Sequence, residues 1–149
     1  MTFYVAFECF QVTRRNEIKE LCIINENGEK LCHGLLEMKV RFYFLSDVEK
    51  RVNRFLMFNY HHISYDEGYI TATPLDLLNQ NIPLDSHVIC KGLENKKMIE
   101  SLRRDLTVHD VDSAIPKVET INKQCFFHYK PSVNCALNKA LYLYNSCNE

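Results

Sequence analysis

Asn27-Gly28, set between two runs of apolar and β-branched residues, narrows the folds open to this chain more than any other feature. An Asn-Gly pair supplies the positive-φ backbone of a tight hairpin turn, so the flanking runs must pair antiparallel. Those runs cover about 18–24 and 29–36. Another β-rich run, TFYVAFECF at 2–10, precedes them across a polar turn at 12–16. The chain therefore opens with three antiparallel strands in a meander.

Beyond the meander the apolar period changes from two to about three and a half. Ser46 with Glu49 three residues on is a capping box, and it predicts a helix over 47–58 with Val48, Val52, Phe55, Leu56 and Asn59 inward. Thr73-Pro74 opens a second, short helix through Leu77 and Leu78. HVIC at 87–90 reads as a buried strand, and a helix follows over 93–104 with Leu93, Met98, Ile99 and Leu102 inward. A fifth strand is expected at 107–111 and a closing helix at 134–145, with Leu137, Ala140, Leu141 and Tyr144 on one face. No repeat or Ser/Gly/Pro-rich linker divides the 149 residues, and 46% hydrophobic residues are enough for a core, so 1–149 is expected to form a single domain.

A formal charge of −1 argues against a strongly basic, non-specific nucleic-acid binder while leaving room for a local patch. No apolar run approaches the ~20 residues of a membrane span. The start MTFYVAFECF lacks the basic region and cleavage site of a secretory signal. Seven cysteines, an odd number without an export signal, point to a reducing compartment, cytoplasmic or nuclear. Cys9, Cys22, Cys32 and Cys90 are then buried thiols on strands, and Cys147 is a spare thiol.

The order of three antiparallel strands, helix, strand, helix, strand, helix is that of the RNase H-like α/β fold, a mixed five-stranded sheet with helices on both faces. Segment by segment it resembles the DnaQ-like (DEDD) 3′–5′ exonucleases, which hydrolyse phosphodiesters with two carboxylate-bound divalent cations. The departures are informative. Where that family has Asp-x-Glu on the first strand, this chain has Ala6-Phe7-Glu8. Glu20-Leu21-Cys22 matches a Glu-Ile-Gly-like second strand, and VICKGLENKK carries no Asp at the middle motif. A final motif resembling His-x-Ala-Leu-x-Asp-Ala reads NCALNKA, with Asn134 for the general-base His and Lys139 for a cation ligand. A lysine there repels a dication by several kcal/mol at ~4 Å. Two-cation catalysis is expected to be lost, with Lys139 free to pair with Glu8.

Cys125, His128 and Cys135 form C-x2-H-x6-C across a loop and the start of the last helix. Two thiolates and an imidazole suit zinc better than magnesium or calcium, and a tetrahedral site needs one more ligand. These residues resemble the Maelstrom domain, a DnaQ-like relative without the acidic set, in its Cys-x-x-His, spacer and Cys-Ala-Leu. The chain also resembles short insect and transposon-associated proteins in Lys19-Glu20-Leu21, the KGLE-x-KK stretch and CALN. The Maelstrom resemblance implies a structural Zn2+ at Glu20, Cys125, His128 and Cys135, with Glu8 the other candidate carboxylate. It further implies an RNA- or protein-binding unit in small-RNA (piRNA-type) transposon silencing, in perinuclear ribonucleoprotein granules, and a residual single-strand RNase activity that does not use the lost carboxylates. A protein–protein adaptor without nucleic-acid contact is the competing expectation.

Lys91, Lys96, Lys97, Arg103 and Arg104 form a basic stretch that reads either as a solvated helix face or as a phosphate-contacting patch for single-stranded RNA. Phe126, Phe127 and Tyr129 flank the candidate ligands and read as core packing ahead of base stacking, and His61-His62 reads as a solvated helix end. His33, His87 and His109 have no partners at metal spacing.

Overall fold

The computed structural model describes residues 1–111 and 125–148. Five strands, β1 (Thr2–Val12), β2 (Arg15–Asn25), β3 (Lys30–Leu35), β4 (His87–Cys90) and β5 (Thr107–Asp110), form one sheet in the order β3-β2-β1-β4-β5. β1, β2 and β3 pair antiparallel, and β4 and β5 add in parallel beyond β1. Four helices accompany them: α1 (Asp47–Asn59), α2 (Pro74–Asn81), α3 (Leu93–Leu102) and α4 (Ala136–Cys147).

The local chemistry accounts for these elements. At the β2–β3 hairpin Gly28 takes φ 82°, and the Asn25 side chain accepts from the backbone N–H groups of Asn27 and Glu29. The β1–β2 turn is tighter still, with Thr13 and Arg14 both at positive φ (49° and 65°), the twist a two-residue hairpin demands. Ser46 and Glu49 close the capping box of α1 in both directions, and Thr73 and Asp76 do the same for α2.

Each face of the sheet has its own core. On one side Phe3, Val5, Phe7, Leu21, Ile23 and Val88 pack with Leu77, Leu78 and Ile99 from α2 and α3. On the other, Tyr4, Ala6, Cys22 and Ile24 meet Ala136, Ala140 and Leu143 of α4. Small alanines let α4 lie close to the strands, so a longer side chain from the same helix can reach the sheet. A third cluster, Phe10, Val12, Leu45 and Tyr65, fills the space beside α1.

Several side chains face otherwise than the periodicity predicts. In α1, Val48 and Phe55 are 62% and 58% exposed, and the buried residue is Asn53. Its amide accepts from the Gln11 N–H and donates to the Gln11 carbonyl, both at 2.8 Å, pairing with the free edge of β1. That paired hydrogen bond sets the rotation of the helix, and an apolar count is blind to it. Leu93 is exposed because it opens α3 rather than packing beneath it; in α4 the predicted Ala140 is buried with Ala136 and Leu143, and the predicted Leu137, Leu141 and Tyr144 pack half-buried against the same cluster.

Candidate metal centre

The register of β1 and β2 sets Glu8 directly opposite Glu20, and the ladder slips by one residue between Glu8 and Cys9. Both carboxylates are buried on the face that α4 covers. Two ionised carboxylates cannot share a dry face without compensation, and each has its own.

Glu20 is compensated by residues from three distant segments. His128 Nε2 lies 3.0 Å from Oε1, the Ala136 N–H donates to Oε1 at 2.8 Å, and His33 Nε2 lies 2.6 Å from Oε2. The Sγ atoms of Cys125 and Cys135 each stand 3.7 Å from Oε2. One ligand atom from each of Glu20, Cys125, His128 and Cys135 lies within 4.8 Å of all the others. Through Ala136 the same carboxylate caps the start of α4, where the helix dipole also favours negative charge. Cys135 is the residue just before that helix rather than one of its first turn.

The donor set fits a thiophilic dication. Three of the four residues are buried and Cys125 is half-buried. His128 Nδ1 contacts the His61 carbonyl, an arrangement that holds the proton on Nδ1 and leaves Nε2 for an ion. Without an ion, one proton is shared by the thiols. The Cys125 thiol is lowered to about 3, first by the hydrogen bond from Cys135 and then by His128 and His33. Cys135 is pushed up by donating that bond and by burial. Burial opposes charging of His128, yet the Cys125 and Glu20 acceptors lift it to about 10. Burial likewise opposes ionisation of Glu20, but His128 and His33 hold it at about 2. The direction of these shifts favours a charged His128 and a proton held within the thiol pair in the ion-free cluster, and coordination releases the protons of the ligand atoms. Calorimetric zinc titration in buffers of different ionisation enthalpy is expected to show about two protons released per ion at pH 7.

Glu8 has a different partner. Lys139 Nζ lies 2.8 Å from its Oε2 and 5.5 Å from the Tyr60 ring centroid. This is an ion pair without good hydrogen-bond alignment. Burial raises the Glu8 pKa and Lys139 only partly offsets it, whereas attraction to Glu8 outweighs burial at Lys139 and raises its pKa. The pair sits at the bottom of a groove of about 300 Å3 lined also by Val52, Leu56, Tyr60, Glu94 and Asn95. Among the described residues, only the Glu20 cluster gathers three or more metal-ligating side chains.

The basic stretch does not form one surface. Arg103 is 7% exposed, with its guanidinium on Asp105 at 2.7 and 2.8 Å and on the carbonyls of Ile82 and Pro83. It is a strut between loops, which corrects its reading as a phosphate contact. Lys97 and Arg104 are exposed, and Lys91 and Lys96 are half-buried.

Two histidines were not visible as site residues. His33 pairs with Cys22 in the hairpin register, two residues along the strand from Glu20, so counting out from Asn27-Gly28 would have found it. His61 is fully buried, not solvated; its Nε2 meets the Cys9 carbonyl, and burial lowers its pKa to about 4. His87 and His109 also pair, Nδ1 to Nε2 at 3.0 Å, across β4 and β5. Phe126 and Tyr129 are 84% and 52% exposed rather than in the core, because their loop lies over the end of α1. Phe127 packs edge-on against His33.

By sequence, no protein-family model and no curated protein matches this chain. By structure it matches the exonuclease domain of Mopeia virus, solved partially complexed with manganese, at a TM-score of 0.66 and 16% identity. The match covers 99% of this chain and 76% of that domain. The chain has the RNase H-like α/β fold, with a mixed five-stranded sheet. Within that class, it carries a Glu-Cys-His-Cys cluster able to hold a metal ion.

Proposed function

We propose that this chain is an exonuclease-fold module that has lost two-cation catalysis and is pinned by a structural zinc ion, a binding unit of the Maelstrom type. One observation carries the reading: Lys139 fills the groove against Glu8, while softer ligands gather around Glu20. Manganese, named with the Mopeia virus domain, prefers oxygen ligands, and the buried Glu8 carboxylate of this groove is neutralised by an ammonium. Two thiols and an imidazole select zinc instead, and four protein ligands leave no open position for a water. Zinc here ties α4 and its preceding loop to β2.

Labelled single-stranded RNA and DNA incubated with magnesium or manganese are expected to stay intact. Digestion that needs the dication and disappears in Glu8→Ala would overturn the reading. Cleavage without added dication would instead favour the residual RNase that the Maelstrom resemblance implies. The resemblance also supplies the setting, small-RNA-guided transposon silencing in cytoplasmic perinuclear granules or the nucleus.

A second reading, a protein–protein adaptor, is favoured by the net charge of −1. A gel shift separates the two: binding to single-stranded RNA that weakens with salt supports nucleic-acid contact, and no shift at ~50 mM salt supports the adaptor.

A further inference from the structure

The rotation of α1 leaves a surface that a soluble domain would ordinarily cover. Tyr43, Phe44, Phe55 and Phe58 are 78%, 73%, 58% and 59% exposed, from the 3-10 turn at Phe42–Phe44 and the outer face of α1. Turn and helix are in contact: Lys50 Nζ lies 5.3 Å from the Tyr43 ring centroid, and the Arg54 guanidinium 5.3 Å from that of Phe42. The aromatics and cations therefore form one patch.

The patch keeps a net positive charge. Residues 41–58 hold four cations, Arg41, Lys50, Arg51 and Arg54, against Asp47 and Glu49, and Asp66 adds one carboxylate at the Phe42 N–H, a local +1 in a chain of −1. Glu49 is engaged by Ser46 and the Arg14 N–H. Among the described residues, no carboxylate forms an ion pair with Arg41, Arg51 or Arg54. A protein partner would have to desolvate these cations or bring matching carboxylates. An unstacked polynucleotide supplies both what the rings and what the cations lack, base faces and phosphates. A duplex hides its base faces and supplies only the second. The patch also runs into the groove, because Val52, Leu56 and Tyr60 on the neighbouring stripe of α1 form one of its walls.

We propose that the outer face of α1 and the 3-10 turn before it bind single-stranded nucleic acid, with bases stacking on Phe55, Phe58 and Tyr43 and phosphates on Arg51 and Arg54. The strand then leads toward the groove at Tyr60. This rests on the reading of the chain as a binding module and chooses nucleic acid as what it binds.

Fluorescence anisotropy of the zinc-loaded chain with a fluorescein-labelled 12-nucleotide oligouridylate tests it, with oligothymidylate and a blunt RNA duplex as further arms. Arg51→Ala/Arg54→Ala is expected to weaken binding at least tenfold and flatten the salt dependence by about 1.4 log units per log unit, two phosphate contacts' worth. Phe55→Ala/Phe58→Ala is expected to weaken it about tenfold with the salt slope kept, and Lys30→Ala to leave it unchanged. RNA and DNA single strands bind alike if only bases and phosphates are read, and a preference for one identifies the source of the strand. Wild-type binding that survives both α1 variants overturns the surface, as does equal duplex binding or loss only in Lys97→Ala/Arg104→Ala. A dimer that Phe55→Ala/Phe58→Ala dissociates, with oligonucleotide binding intact, assigns the face to a second copy. No binding by wild type at ~50 mM salt, zinc content intact, returns the chain to the adaptor reading.

Discussion

Purified chain is expected to hold one zinc ion, and Cys135→Ser to lose it with a fall in thermal midpoint on the order of 10 °C or more. The size follows from what the ion joins. Glu20 lies on the interior strand β2, Cys125 and His128 on the loop over the end of α1, and Cys135 at the head of α4, so the cluster ties that loop to the sheet and adds to the Ala136, Ala140 and Leu143 packing and the Lys139–Glu8 pair that hold α4. Structural zinc contributes several kcal/mol even in a domain with its own core, and in a domain of this size each kcal/mol moves the midpoint by roughly 2–4 °C. Chelation of the wild type should reproduce the effect and leave Cys135→Ser unmoved. The ion-free protein has its own pH window. Glu20, held at about 2 against an ordinary 4.5, gives stability that is present above 4.5 and lost as pH falls through about 2. His128, raised to about 10 from 6.5, gives stability that is full below 6.5 and lost as pH rises through about 10. Chelated protein should therefore be most resistant between pH 4.5 and 6.5, where both contributions are full. Metal-free wild type with an unchanged midpoint would remove the ion from the account.

The second large effect belongs to Lys139→Met. The methionine fills the lysine's space but leaves Glu8, 3% exposed, without its counter-charge, at a cost of about 3–5 kcal/mol near pH 7. Glu8 already titrates above its ordinary 4.5 because of burial, and losing the lysine raises it further. A carboxyl raised in the fold takes up its proton there more readily than in the unfolded chain. The deficit should then be largest above the folded pKa and shrink as pH falls toward 4.5. Glu8→Gln/Lys139→Met should recover most of the loss at every pH, since a neutral pair can be as stable as the ionic one. Denaturant unfolding at several pH values measures all three proteins. A single variant within ~1 kcal/mol of wild type throughout would mean that water reaches Glu8 and the groove is wet to its floor.

What could be read from the residues followed local rules. The hairpin at Asn27-Gly28, the Ser46–Glu49 box and the Thr73-Pro74 start each depend on a few neighbours, and each forms. The order of elements then left few topologies, and the sheet has the expected one. The Cys125–His128–Cys135 spacing was legible as a soft-ligand pattern, but Glu20 entered only by resemblance, because a strand 105 residues away from Cys125 offers no spacing to count. The errors share a cause. Asn53, His61 and Arg103 are polar residues satisfied by backbone groups far along the chain, and burial of that kind leaves no mark in hydrophobic periodicity. Once Asn53 is turned inward, Val48 and Phe55 must turn out, which is why a misread core residue and an exposed aromatic face come from one amide.

The wide separation of Glu20 from its companions also orders events at the ribosome. The meander can pair as soon as β3 emerges, placing a carboxylate in an apolar setting with His33 beside it while His128 and the two thiols have yet to be translated. During that interval the carboxylate either stays hydrated, keeping that side of the young sheet open, or takes up a proton. Closure by α4 comes last, and under the proposed zinc reading it would coincide with capture of the ion, so the cell's supply of free zinc would set how long each newly made copy stays exposed to proteases.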